Sequence, residues 1–250
     1  MKKARLHRLI RKSHRYLGVV FGIQFLFWTL GGLYFSWTSI KQIRGDDIRK
    51  DEPMLLLENS TTSLSQIIGE LKTINPVLHI ESVKLADVLG RAYYQITYHN
   101  GKKVKTQLAD AQTGKLHAAL TKEEAVAVAE SRLNVKASVK KVEYITETDG
   151  HHEYREKPLP AFAVTFSGNA NTTVYISAEG GTVQSFRNSR WRIFDFLWML
   201  HTMDYANKDN LNNLLLRLFS ALGLITIISG FSLYFISYKK KKHINSSLTI

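Results

Sequence analysis

The pattern of apolar and polar positions divides the chain into three parts. Tyr16 to Ile40 is a run of 25 residues without a charge, containing LGVVFGIQFLFWTLGGLYF. At about 1.5 Å per residue it reaches ~37 Å as a helix, enough to cross a ~30 Å hydrocarbon core with some tilt. Leu218 to Ser237 is a second uncharged run, of 20 residues. It reaches ~30 Å. Tyr16, Tyr34, Phe35 and Trp37 lie near the ends of the first run, and Tyr234, Phe235 and Tyr238 near the end of the second. That is where membrane-spanning helices carry their interfacial aromatics. The alternative for the first run, a cleaved signal peptide, fits poorly, because the apolar region is too long and no small-x-small site follows it.

The intervening residues read as one α+β pattern written twice. Residues 62–74 and 121–133 each open on a Thr/Ser cap signal and continue with apolar residues at helical spacing. Strand-like runs follow in each half: HIESVKL, AYYQITYH and KVKTQLADA, then VKKVEYIT, PAFAVTFSG and TTVYISA. Large apolar residues alternate at Tyr94, Ile96 and Tyr98 and at Phe162, Val164 and Phe166, which predicts sheets with one buried and one wet face. Each half then ends in a turn, Asp110 to Leu116 and Ser177 to Val183, and the two turns match at an offset of 67 residues. The expected unit is a helix on an antiparallel sheet, duplicated. Residues 149–160, DGHHEYREKPLP, have no periodicity and read as an exposed hairpin loop.

Charge gives these parts an orientation. The net charge of +13 would by itself point to nucleic acid. Yet residues 1–15 hold seven Lys/Arg and no acid, and residues 239–242 are four lysines. Removing those eleven from +13 leaves +2 for the rest of the chain. Basic residues flanking apolar runs face the cytoplasm, so both termini are expected there and the central region on the far side. The expected boundaries are 1–15 for a basic N-terminus, 16–40 for the first span and 41–190 for the extracytoplasmic region, with repeats at about 60–117 and 121–186. Residues 191–213 follow as an amphipathic pre-membrane helix and loop, then 214–238 as the second span and 239–250 as a basic tail. The basic ends also suit anionic lipid, and no basic stripe with interleaved aromatics supports a nucleic-acid partner.

The absence of cysteine removes disulfides, thiolate nucleophiles, iron–sulfur clusters and covalently attached c-type haem. No nucleophile elbow, H-E-x-x-H, P-loop or dinucleotide fingerprint occurs, so no catalytic residue is assigned. The D-x-x-T-G-K run from Asp110 to Lys115 reads as a tight turn with Gly114 at positive φ. Both spans lack ionisable side chains, which argues against a proton or ion pathway. Gly31, Gly32, Gly223 and Gly230 read as close helix contacts, between the spans or between copies.

Several of these motifs resemble a known family. The TKEEAVAVA-type helix, together with a strand ending in Asp110-x-x-Thr113-Gly114-Lys115, resembles the PepSY repeat. His14-Arg-Tyr-Leu-Gly18, Trp28-Thr-Leu-Gly-Gly-Leu-Tyr34 and Trp198-Met-Leu-His201 resemble the PepSY-associated transmembrane family, in a two-span form. The resemblance implies a protein of the bacterial cytoplasmic membrane whose periplasmic PepSY-like units bind or modulate a partner, as an accessory to iron or siderophore uptake. Its larger members include haem-b reductases of ferric siderophores, which is the alternative function. Under that alternative His14 and His201 are the candidate haem ligands, and Gly18 and Gly22 either clear space for the macrocycle or pack helices. With the expected topology His14 and His201 lie ~30 Å apart on opposite leaflets, so each haem needs a second copy of the chain. The partners implied are the bilayer, a homodimer or a membrane or periplasmic protein. His151 and His152 with Glu153 and Glu156 make a poor metal set, since adjacent loop histidines diverge, and no metal site is assigned.

Overall fold

The computed structural model describes residues 2–52, 55, 61–101, 103–168 and 171–246. The side chains of residues 1–7 and 237–250 lie outside the described residues, as does Ser60, where the first repeat is expected to begin. The chain forms two compact units, one of residues 1–37 with 194–250 and the other Thr38–Ile193.

The first unit is helical. Helix α1 (Lys2–Trp37) and helix α6 (Leu214–Ser246) pair with each other, and α5 (Ser189–Thr202) contributes all but its first turn. Within α1 and α6, Arg8–Trp37 and Leu214–Ile236 are long and apolar enough to cross a membrane. Only 17% and 11% of their most apolar windows are buried, whereas the core helix of a soluble protein would be mostly covered. Val19, Ile23, Leu26, Leu224, Ile228 and Phe231 all face outward. So large an exposed apolar surface requires an apolar surrounding.

The second unit contains α2 (Ile40–Arg44), α3 (Leu64–Ile74), α4 (Lys122–Ser131) and two four-stranded antiparallel sheets. The first sheet runs β1 (His79–Val88), β2 (Arg91–Asn100), β3 (Lys103–Asp110) and β4 (Leu116–His117). The second runs β5 (Val139–Ile145), β6 (Ala161–Phe166), β7 (Thr173–Ser177) and β8 (Val183–Arg187). Each sheet is a meander in chain order and each is preceded by its helix. The turns that end the expected repeats therefore continue into a fourth strand, β4 and β8.

Backbone bonding shows the duplication atom by atom. Gly114 N–H donates to Asp110 O at 2.8 Å and Gly181 N–H to Ser177 O at 2.9 Å. Both glycines hold positive φ, +75° and +67°, a conformation only glycine adopts freely. Asp110 Oδ1 accepts the Gln112 and Thr113 N–H groups, and Ser177 Oγ accepts that of Gly180. One residue past each third strand, Ala111 and Ala178 donate to Ala92 O and Pro160 O. The same two residues accept from the chain just before each helix, Thr62 N–H at 2.8 Å and Leu120 N–H at 2.7 Å.

The cores differ more than the backbones do. Ile67 and Leu71 of α3 pack on Ile96, Ala109 and neighbours of the first sheet. Ala125, Val128 and Ala129 of α4 pack on Phe162, Val164, Phe166, Val174 and Ile176 of the second. That second cluster also takes in Val88, Tyr93 and Leu108 from the first sheet. The β7–β8 turn joins the repeats: Gln95 Nε2 donates to Gly180 O at 2.7 Å, and a Cβ on Gly181 would lie 2.7 Å from Leu108 Cδ1.

One expectation is corrected. The face of the second sheet turned away from α4 is not wet, because residues 146–160 fold across it. Tyr154, fully buried, packs with Ala161, Ala163 and Tyr175, with Leu159 against them. Strand β7 is therefore buried along its whole length, and its sequence carries no sign of which side chains lie under the covering segment.

Candidate functional site

His14 and His201, the two residues singled out for chemistry, both belong to the helical unit. His14 lies on α1, where its Nδ1 is 2.8 Å from Ser229 Oγ of α6. Gly230 makes room for the ring, since a Cβ there would sit 3.2 Å from His14 Cε1. His201 closes α5 among aromatics. Its ring centroid is 5.6 Å from Trp28, 6.1 Å from Trp198, onto which it stacks, and 6.2 Å from Phe35. Trp28 Nε1 donates to His201 O at 3.1 Å, and Gln24, a buried polar residue of α1, donates to Leu200 O at 2.8 Å. Among the described residues the Nδ1 of His201 is buried without a hydrogen-bond partner.

These contacts place the two histidines at different levels of α1. Trp28 and Phe35 stand 14 and 21 residues beyond His14, which puts His201 about 21–31 Å along the helix from it. A cavity of about 330 Å³ between α1 and α6 is lined by Phe21, Gln24, Trp28, Phe219 and others but by neither histidine. Within one chain the two do not combine, so His14 and His201 cannot be the two ligands of a single haem. A Cβ at Gly18, Gly22 or Gly32 would meet nothing within 4 Å, so their small faces are not used by α6. Gly223 and Gly230 do face α1, through Phe21 and His14.

The α5–α6 connection is built on buried polar groups that periodicity could not find. Lys208 Nζ donates to Asp195 Oδ2 at 2.7 Å, with side-chain exposures of only 14% and 9%. Asp204 Oδ2 accepts Asn210 N–H at 2.8 Å, and Asn213 Nδ2 donates to Thr202 O. Tyr205 lies beyond the end of α5, in the loop, and is exposed.

In the second unit the densest polar cluster surrounds Glu153. Its carboxylate accepts Arg192 Nε at 2.7 Å and Arg192 Nη2 at 2.8 Å, a two-point pairing, and the Tyr175 hydroxyl at 2.7 Å. Arg187 Nε donates to Glu153 O, and the Arg187 guanidinium lies 4.0 Å from the Trp191 ring centroid. Burial alone would raise the Glu153 carboxyl; bonding from Arg192 and Tyr175 outweighs it and holds the group below the ordinary carboxylate range. Burial, and then the bond to Glu153, push the Tyr175 hydroxyl well above its ordinary value. The cluster pins the 146–160 segment to β7, β8 and the first turn of α5. Among the described residues no three or more His, Cys, Asp or Glu gather as a metal set. His151 and His152 serve the local turn, both N–H groups donating to Asp149 Oδ1.

Two long apolar helices with outward apolar faces, in a chain whose other unit is a polar-surfaced α+β fold, define a membrane protein. The comparison with protein families agrees: the pattern of the PepSY-associated TM region matches residues 1–237, and the chain belongs to that family. No curated protein matches. Among solved structures, a protein described as a lipoprotein of Clostridium difficile 630 matches 52% of this chain and 95% of its own, at 12% identity and a TM-score of 0.22.

Proposed function

We propose that the protein displays its duplicated α+β unit on the extracytoplasmic side of the cytoplasmic membrane, both termini inside, and there binds or modulates a partner. The observation that carries this reading is the arrangement of the chain. One self-contained unit, Thr38–Ile193, is bracketed by two apolar helices whose outer flanks hold eleven of the +13 charges. Lys/Arg-rich flanks stay in the cytoplasm, which carries the central unit across. The family resemblance supports a role as an accessory subunit of iron or siderophore uptake, with the PepSY-like units as the binding element.

The cysteine-free chain makes the topology directly testable. Val104→Cys, at an exposed strand position, labels with a membrane-impermeant maleimide in intact spheroplasts, whereas Lys241→Cys labels only after lysis. The reverse pattern overturns the topology. The uptake role predicts slowed growth of a deletion strain on ferric siderophore as sole iron source, restored by the intact gene; equal growth refutes it.

A second reading, haem-b binding by paired copies of the chain, is favoured by the unpartnered Nδ1 of His201, since a buried unsatisfied nitrogen costs about 1–3 kcal/mol. It predicts a Soret band in detergent-purified protein that is lost in His201→Ala. A colourless, folded protein from haem-replete cells excludes it.

A further inference from the structure

The two repeats differ most in one connection. In the first, β1 passes to β2 through Leu89 and Gly90 alone, while in the second β5 passes to β6 through residues 146–160. That longer connection is a strap. It inserts Tyr154 between itself and the sheet, stacked on Tyr175 at 4.7 Å with the rings 13° from parallel. Glu153 on one side of Tyr154 is held by Arg192, Tyr175 and Arg187. His152 is half-buried, its ring centroid 6.3 Å from that of Tyr175, and the Tyr154 N–H donates to His152 Nδ1 at 3.0 Å.

That last bond constrains the imidazole. A ring nitrogen that accepts an N–H carries no proton, so the closed strap uses neutral His152. A protonated imidazole has two N–H donors and no acceptor, and would set N–H against N–H beneath a buried tyrosine. We propose that His152 is a pH-sensitive latch: the strap is closed at neutral pH and loosens as the imidazole protonates, uncovering the Ala161, Ala163 and Tyr175 face of the second sheet. The groups around it are Asp149, His151, Glu153 and Arg155 of the strap, Tyr175 of β7, Arg187 of β8 and Arg192 of α5. Asp149 accepts the His152 backbone N–H, while Arg187 and Arg192 are engaged by Glu153. The bond to neutral His152 stabilises the closed strap above the imidazole titration and is lost as pH falls through it. Asp149 and Glu153 are both held below the ordinary carboxylate range, Asp149 chiefly by the His151 and His152 N–H groups. They therefore stay ionised where histidine titrates. The proposal does not depend on what the domain binds.

Hydrogen–deuterium exchange of the full chain in detergent tests it, with intrinsic rates corrected for pH. In the wild type, protection of residues 146–160 falls by about tenfold between about pH 7.5 and about pH 5.5, the loss of one hydrogen bond. His152→Asn keeps a side-chain acceptor two residues before Tyr154, in the manner of an Asx turn, but does not titrate; its strap stays protected at both pH values. His152→Ala loosens the strap at both. Unchanged protection in the wild type overturns the latch, and a pH response that persists in His152→Asn assigns it to another group.

Discussion

Gly181 and Gly114 occupy the same place in the two repeats, and both are crowded, a Cβ at Gly114 lying 2.8 Å from Thr62 Cγ2. At Gly181 a Cβ meets Leu108 at 2.7 Å and Val88 at 2.9 Å, in addition to the strain of positive φ; at Gly90, φ is +81° but nothing lies within 4 Å. Gly181→Ala should therefore lower stability by about 2–4 kcal/mol, from strain and overpacking together, and Gly90→Ala by only about 1 kcal/mol. Thermal unfolding of the full chain followed by near-ultraviolet circular dichroism separates the two. Glu153→Gln removes a charge bonded at two points and should cost about 1–3 kcal/mol near neutral pH. The Glu153 carboxyl is lowered in the folded state, so its contribution is present above the ordinary carboxylate range and lost as pH falls through the lowered value. The stability gap between variant and wild type should accordingly close in strong acid and not before. The turn glycines were legible from sequence because positive φ has a compositional signature. Glu153 was not, because its partners Arg192, Tyr175 and Arg187 come from three separate places in the chain.

Among the elements, α4 shows how local sequence fixes a boundary. Thr121 Oγ1 accepts Glu124 N–H and Glu124 Oε2 accepts Thr121 N–H, a capping box whose removal by Thr121→Ala should cost about 1 kcal/mol in the same melt. Six strands and five helices, all but α2 among the described residues, could be read from apolar runs, apolar spacing and cap residues. Strands β4 and β8 could not, since two or five residues after a tight turn are too short to show a period. The strap escaped for another reason. A polar, aperiodic stretch signals a loop, and nothing in DGHHEYREKPLP marks Tyr154 as the residue that turns inward. Helix pairing was half legible: glycines in the spans pointed to close approach, but only the fold sorts them. Gly230→Leu should drive α6 off His14 and lower the melting temperature of the helical unit, while Gly18→Leu and Gly22→Leu, on open faces, should leave it unchanged in the monomer. A drop with Gly22→Leu would show that two copies meet there.

For the molecule as a whole, charge placement and the two apolar runs were enough to read a membrane protein with one large intervening unit. The joining of the repeats was not readable, because it rests on side chains far apart in sequence. Gln95 reaches Gly180, Thr106 N–H donates to Glu179 Oε2 at 3.3 Å, and Val88, Tyr93 and Leu108 belong to the cluster centred on the second sheet. The consequence concerns autonomy. A fragment ending before Thr121 keeps α3 and its whole sheet, yet leaves three large side chains of that sheet facing water where the β7–β8 turn belongs. The first repeat is a module by its backbone and a dependent by its surface. Made alone it should self-associate, whatever its secondary structure. The duplicated halves share one folding fate, so during membrane insertion the first must wait, uncovered, until the second has been delivered.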